Sequence, residues 1–216
     1  MIIKICGNTS LDDARVAAEA GADMLGFIFY DRSPRAITVA NAASIIRELR
    51  GEFADDAPLM VGVFVDEPLR ALRQIMADAA LDAAQLHGSE PPVELRALAP
   101  NAFKALRPQN RGDAEALTAT YAEALPNNPR LPDFLLDSYH PWKMGGTGQP
   151  MNVRIPLVLA RRLRIMLAGG LTPDTVADAI QRIQPWGVDV ASGVEAAPGV
   201  KDHGKVRAFV EAVHGE

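Results

Sequence analysis

The 216 residues include a single cysteine, Cys6, so no intrachain disulfide can form. A reducing cytoplasm is the expected compartment. Long apolar runs are also missing. No segment supplies the ~20 apolar residues of a transmembrane helix, and the stretch from Met1 to Gly7 is far too short for a signal peptide. The expectation is a soluble, cytoplasmic protein with no membrane partner. Basic excess is absent: 22 Lys and Arg face 27 Asp and Glu, a formal net charge of -5, and the basic residues are scattered. That argues against nucleic acid as a partner, because no positive surplus exists to neutralise phosphates. The four histidines show no metal-ligand spacing, so no metal is expected. No linker-like or low-complexity stretch divides the chain. The segment from Pro126 to Pro132 reads as one loop, and residues 1–216 as one domain.

What is present is alternation. Apolar runs at Ile2 to Cys6, Met24 to Phe29, Leu59 to Val65, Ala83 to Leu86, Phe103 to Leu106, Phe134 to Asp137, Arg164 to Ala168 and Val188 to Ala191 read as strands. Amphipathic stretches follow each of them. Ser10 caps the first helix, which stops at Gly21. Helices follow at Asn41 to Arg50, after Pro68, after Pro91 and Pro92, and at Asp113 to Ala124. Three more lie near Val153 to Arg161, after Thr172 and Pro173, and at Lys205 to Val213. Strands alternating with helices imply a parallel sheet. No Gly-x-Gly-x-x-Gly follows the first strand, which removes the open dinucleotide fold. Eight strand–helix pairs therefore point to an α/β fold of the (β/α)8 TIM-barrel kind, at the short end of its range. With 48% hydrophobic residues the chain can fill such a core.

Chemistry in this fold gathers at the C-terminal ends of the strands. Three glycine clusters sit there, after strands six, seven and eight. They are Gly145-Gly146-Thr147-Gly148, Gly169-Gly170 and Ser192-Gly193. Glycine lets the backbone approach a ligand and aim its N–H groups inward, and helix N-termini nearby favour anions. A lone cluster is equally well a tight turn, but three on adjacent strand ends point to a phosphorylated small molecule.

Cys6 ends the first strand, where a thiol acts as a base once its ionisation is eased. Lys4 shares its face two residues earlier, and Asp189 on strand eight is placed to meet Lys4 where the barrel closes. Asp137 ends strand six, across from Cys6, and is a candidate general acid. Arg35, after Ser33-Pro34, carries a planar fork suited to a carboxylate. His87, after Gln85-Leu86, reads equally as a ligand contact or a hydrogen-bonded structural histidine.

Read in order, these residues resemble a known family. Lys4-Ile5-Cys6-Gly7, Gly26-Phe27-Ile28-Phe29, Ser33-Pro34-Arg35, Gly62-Val63-Phe64 and Gln85-Leu86-His87-Gly88 come first. Gly145-Gly146-Thr147-Gly148, Leu167-Ala168-Gly169-Gly170-Leu171, Ser192-Gly193-Val194-Glu195, Pro198-Gly199 and Lys201-Asp202 follow. The set is similar to phosphoribosylanthranilate isomerase of tryptophan biosynthesis and spans nearly the whole chain.

The resemblance implies an Amadori rearrangement of N-(5-phosphoribosyl)anthranilate to 1-(2-carboxyphenylamino)-1-deoxyribulose 5-phosphate, without cofactor or metal. It implies Asp137 as acid, Cys6 as base and Arg35 as holder of the anthranilate carboxylate. Gly146, Gly148, Gly169, Gly170, Ser192 and Gly193 then form the phosphate site, with His87 as a further substrate contact. The expected state is monomer or homodimer. Two departures from the family pattern are Gln149 to Val153, where an aromatic-acidic-aromatic segment is common, and the long loop from Ser138 to Met144, with Tyr139, His140 and Trp142; Ala191, where serine is frequent, is a smaller change.

Three other readings share this frame. The histidine-pathway ribonucleotide isomerase runs the same rearrangement, but that family has a carboxylate at the end of strand one and a second phosphate grip. A Schiff-base aldolase would use Lys104 on strand five, and a non-catalytic barrel would bind phosphate without turnover.

Overall fold

In the first strand, alternate side chains face opposite ways. Ile3 and Ile5 are buried outward, in one apolar layer with Ala14 and Ala17 of the first helix and Val206 and Phe209 of the last. Lys4 and Cys6 turn inward. The same alternation around the ring gives an inner layer built from Met24, Val61, Phe103, Leu135 and Met166. Two apolar layers, one inside the strands and one between strands and helices, require a sheet closed on itself.

The computed structural model describes residues 1–137 and 154–215. Its first half runs β1 (Ile2–Cys6), α1 (Leu11–Glu19), β2 (Met24–Phe29), α2 (Val39–Phe53), β3 (Leu59–Phe64), α3 (Leu69–Asp78), β4 (Ala83–Leu86) and α4 (Pro92–Ala97). Its second half runs β5 (Ala102–Leu106), α5 (Arg111–Tyr121), β6 (Phe134–Asp137), α6 (Arg154–Ala160), β7 (Ile165–Ala168), α7 (Pro173–Ile183), β8 (Gly187–Val190), β9 (Glu195–Ala197), β10 (Val200–Lys201) and α8 (His203–His214). Strands β1 to β8 form a closed parallel barrel in chain order. The closing seam pairs β8 with β1 and sets Asp189 opposite Lys4.

The helix starts follow their capping chemistry. The Ser10 hydroxyl accepts from the Asp13 N–H, Thr38 caps α2 through Asn41, and Asp202 caps α8 through Lys205. Thr172 and Thr175 close a capping box on α7, behind Pro173. These caps lengthen α2 and α8 by about a turn beyond their apolar periodicity. The fifth helix stops at Tyr121, and residues Ala122–Ala124 tighten into a 3-10 turn.

One element falls outside the expected eight pairs. A short antiparallel hairpin, β9 with β10, lies between β8 and α8. Its strands of three and two residues are too short to show alternation. It is tied down at three points. The Lys201 N–H donates to Asp13 Oδ2 at 3.1 Å, the Thr9 hydroxyl donates to the Gly199 carbonyl, and Lys201 Nζ donates to the Cys6 carbonyl at 2.6 Å. The hairpin thus closes over the C-terminal end of β1. Among the described residues, no helix is long and apolar enough to cross a membrane.

Candidate active site

A cavity of about 450 Å³ opens at the C-terminal ends of the strands. Its wall includes Cys6, Arg35, His87, Asp137, Gly169, Gly170, Ser192 and Gly193. Eight of the ten residues expected at the site therefore meet in one place. The other two, Gly146 and Gly148, lie outside the described residues, as does Val153, where the sixth helix was expected to begin.

Cys6 caps β1 with its thiol in the barrel mouth, and it is 5% exposed. Its neighbour across the pairing is Gly26. A methyl group at Gly26 would come within 2.6 Å of the Cys6 sulfur, so glycine there makes room for the thiol. Below Cys6, Lys4 Nζ donates to Asp189 Oδ1 at 2.8 Å, the contact that the strand faces imply. Burial, with Asp189, pushes the Cys6 thiol up and outweighs the charges of Lys4 and Lys201, which pull it down.

Asp137 ends β6 on the facing wall. Its Oδ2 accepts from His87 Nε2 at 3.2 Å and from Arg107 Nε at 3.1 Å. Gln85 Nε2 stands 2.8 Å from His87 Nδ1. An amide nitrogen only donates, so the neutral ring carries its proton on Nε2, aimed at Asp137. Burial raises the Asp137 carboxyl, but His87 and Arg107 outweigh it and hold the group below the ordinary carboxylate range. The site therefore presents a carboxylate, which must gain a proton before it gives one.

Arg35 does not stand alone. Its Nε and Nη2 donate to the two Glu195 oxygens, each at 2.7 Å, a bidentate pair that fixes the guanidinium plane. Gly7, at φ 76°, brings the chain so close that an added methyl would fall 2.8 Å from Arg35 Cδ. A carboxylate ligand meets an arginine already oriented by Glu195.

On the side of β7 and β8, Gly169 and Gly170 take φ values of 94° and 73°, the left-handed region that side chains disfavour. Ser192 opens a one-turn 3-10 helix through Val194. A methyl at Gly193 would sit 1.8 Å from the Leu171 carbonyl oxygen, so the loops after β7 and β8 pack this closely only with glycine.

Lys104 is absent from the cavity wall. Its Nζ donates to the Leu86 carbonyl at 3.2 Å, the Gly88 carbonyl at 2.7 Å and Glu90 Oε2 at 3.0 Å. It stiffens the turn that carries His87, which leaves the Schiff-base reading without a free amine.

Gln85, Arg107, Glu195 and Lys201 were not assigned functional roles from the sequence. Gln85 and Arg107 stand at or just beyond strand ends, a usable signal. Glu195 and Lys201 act on partners far away in the chain, through a hairpin with no local signature. Among the described residues, no group of three or more His, Cys, Asp or Glu is placed to hold a metal ion.

The sequence pattern of the N-(5'-phosphoribosyl)anthranilate (PRA) isomerase family matches residues 3–212. The N-(5'-phosphoribosyl)anthranilate isomerase of Pelobacter propionicus is 44% identical over 210 residues, covering 96% of this chain and 93% of its own. The crystal structure of phosphoribosyl anthranilate isomerase from Thermotoga maritima superposes with a TM-score of 0.85 at 37% identity, over 100% of both chains. A second solved isomerase, in complex with reduced 1-(o-carboxyphenylamino)-1-deoxyribulose 5-phosphate, has a TM-score of 0.83 at 35% identity, again over 100% of both chains. The chain belongs to the N-(5'-phosphoribosyl)anthranilate isomerase family.

Proposed function

We infer that this chain catalyses the Amadori rearrangement of N-(5-phosphoribosyl)anthranilate to 1-(2-carboxyphenylamino)-1-deoxyribulose 5-phosphate, the isomerase step of tryptophan biosynthesis. One observation carries the assignment of roles: Cys6 and Asp137 share one cavity with the glycine-lined ends of β7 and β8. The substrate phosphate anchors at Gly169, Gly170, Ser192 and Gly193, completed by Gly146 and Gly148. The ribose then lies between Cys6 and Asp137, and the anthranilate carboxylate meets Arg35.

The chemistry follows from that placement. Asp137 takes up a proton as the anionic substrate enters and draws Arg107 toward its own charges. The acid then protonates the ribose ring oxygen, the C1–O bond breaks, and the nitrogen lone pair completes a Schiff base. The Cys6 thiolate removes the C2 proton and an enolamine forms. The Cys6 thiol returns its proton to C1 while the C2 hydroxyl gives its proton to Asp137, which forms the ketone; the proton that Asp137 took up at entry leaves with the product, and both residues regain their starting states. His87 aims its Nε2 proton at Asp137 and contacts the substrate through the same cavity wall. The residues supply every proton the rearrangement moves, so the reading calls for no cofactor or metal.

The whole chain, residues 1–216, acts as one catalytic domain, as a monomer or a homodimer in which each barrel holds its own site. The cytoplasm is its compartment, consistent with a lone, buried cysteine in a catalytic role. The test is fluorescence. Phosphoribosylanthranilate generated in place loses its anthranilate-type emission when the protein is added. Cys6→Ala and Asp137→Asn each slow that loss by about 10²- to 10⁴-fold. Unimpaired turnover in both variants would overturn the roles.

A further inference from the structure

Lys4 is fully buried in the barrel, at 0% exposure. An ammonium in such a place sheds its proton unless a partner holds it charged. Burial works against the Lys4 charge, but Asp189 across the β8–β1 seam and Cys6 together outweigh it, and the ammonium persists. Nearby inward positions, Met24, Val61, Leu135 and Met166, are apolar. An apolar pair of similar volume at Lys4 and Asp189 would commonly be as stable or more so. Stability alone therefore does not account for an ion pair at this depth.

Cys6 does account for it. It stands two residues along the same face of β1, next above Lys4 in the barrel. Among the charges around the thiol, Lys4 is the strongest that favours its ionised form. Asp189, from β8, opposes ionisation, and Lys201, from β10, assists it while bonding the Cys6 carbonyl. Arg35 approaches from the loop after β2, and the single Glu195 carboxylate is shared between Arg35 and Lys201. Asp137 and His87 complete the titratable groups on the facing cavity wall. Lys4, held by Asp189 as Lys201 is held by Glu195, is the cation with the largest favourable effect on the ionised thiol.

We propose that Lys4 and Asp189 are positioning residues of the rearrangement: the Lys4 ammonium, anchored by Asp189, eases formation of the Cys6 thiolate that takes the ribose C2 proton. This rests on Cys6 being the base. The thiol proton leaves to solvent before the substrate seals the cavity. The thiolate then accepts the C2 proton and becomes thiol again, and Lys4 keeps its own proton throughout.

The experiment uses the fact that Cys6 is the sole cysteine, so alkylation by iodoacetamide, read by mass, reports one site. In Lys4→Met the pH midpoint of alkylation rises by about one to three units, and the rising limb of kcat/KM moves with it. The paired variant Lys4→Met/Asp189→Asn leaves no buried charge without a partner and serves where the single variant fails to fold. Its midpoint also rises, by about one unit, because losing Lys4 outweighs losing Asp189. An unmoved midpoint in a folded paired variant, with only the thermal unfolding temperature changed, overturns the proposal and leaves the pair a structural one. A raised midpoint with an unmoved kcat/KM limb upholds the grip of Lys4 on the thiolate and removes Cys6 as the base.

Discussion

His87 Nε2 and Asp137 Oδ2 stand 3.2 Å apart across the mouth of the barrel, with the ring proton between them. Of the groups that favour the Asp137 carboxylate, His87 acts most strongly, ahead of Arg107. The folded Asp137 therefore ionises below the unfolded value of about 3.9. A depressed carboxyl contributes stability that is present above the unfolded value and lost as pH falls through the folded one. The urea midpoint of the protein should drop as pH falls below about 4, and His87→Leu should flatten part of that drop. An identical acid profile in the variant would count against the pairing.

Glu195 orients Arg35, so its effect should appear in binding rather than in chemistry. Glu195→Gln keeps the shape but gives up the bidentate charge pair. The guanidinium then loses its fixed plane, and KM should rise about tenfold while kcat changes much less. Steady-state kinetics at saturating substrate separate the two. A drop confined to kcat would place Glu195 nearer the reacting atoms than its contacts suggest.

Gly26→Ala is a positional test of the base. The new methyl would meet the Cys6 sulfur at 2.6 Å and the Cys6 Cα and Cβ at 3.1 Å, so the thiol must turn and the end of β1 must give by a few tenths of an ångström. A displacement near 1 Å at a reacting atom costs about 10²-fold in rate. The expected outcome is a large loss in kcat with the melting temperature nearly kept. Normal turnover would show that Cys6 need not hold its present position.

Glu90 and Lys104 form a second buried ion pair, 3.0 Å long, beneath the His87 turn. Removing only the carboxylate strands a buried ammonium. Glu90→Ala should therefore cost about 3–5 kcal/mol in urea unfolding. Glu90→Gln with Lys104→Met removes both charges while keeping an acceptor for the Asp66 and Gly88 N–H groups, and should recover part of it. Equal loss in both variants would mean that packing, not charge, holds this turn.

The barrel was legible because its signals are local and repeated. Each strand alternates over four to six residues, and Ser10, Thr172 and Pro173 mark helix starts by chemistry that acts within one turn. Even the Lys4–Asp189 contact followed from two local facts, the face of β1 and the closure of β8 on β1. The charge network above it did not. Arg35 and Glu195 are 160 residues apart, and Lys201 and Cys6 are 195 apart. Nothing in the spacing of such residues announces their pairing. Asp137 shows a subtler gap: its position at a strand end named it as an acid, but its resting ionisation depends on His87 and Arg107, which only the folded geometry brings together.

The seam between β8 and β1 also sets an order of events. Asp189 follows Lys4 by 185 residues and Lys201 follows Cys6 by 195, so the later pair leaves the ribosome long after the earlier one. Until the final strand docks, Lys4 is a cation on an open sheet edge, with no reason to enter an apolar interior. Barrel closure and assembly of the charges around the Cys6 thiol are thus the same event. A ribosome-stalled chain ending before residue 189 should hold a cysteine that reacts like any solvent-facing thiol and turns over no substrate.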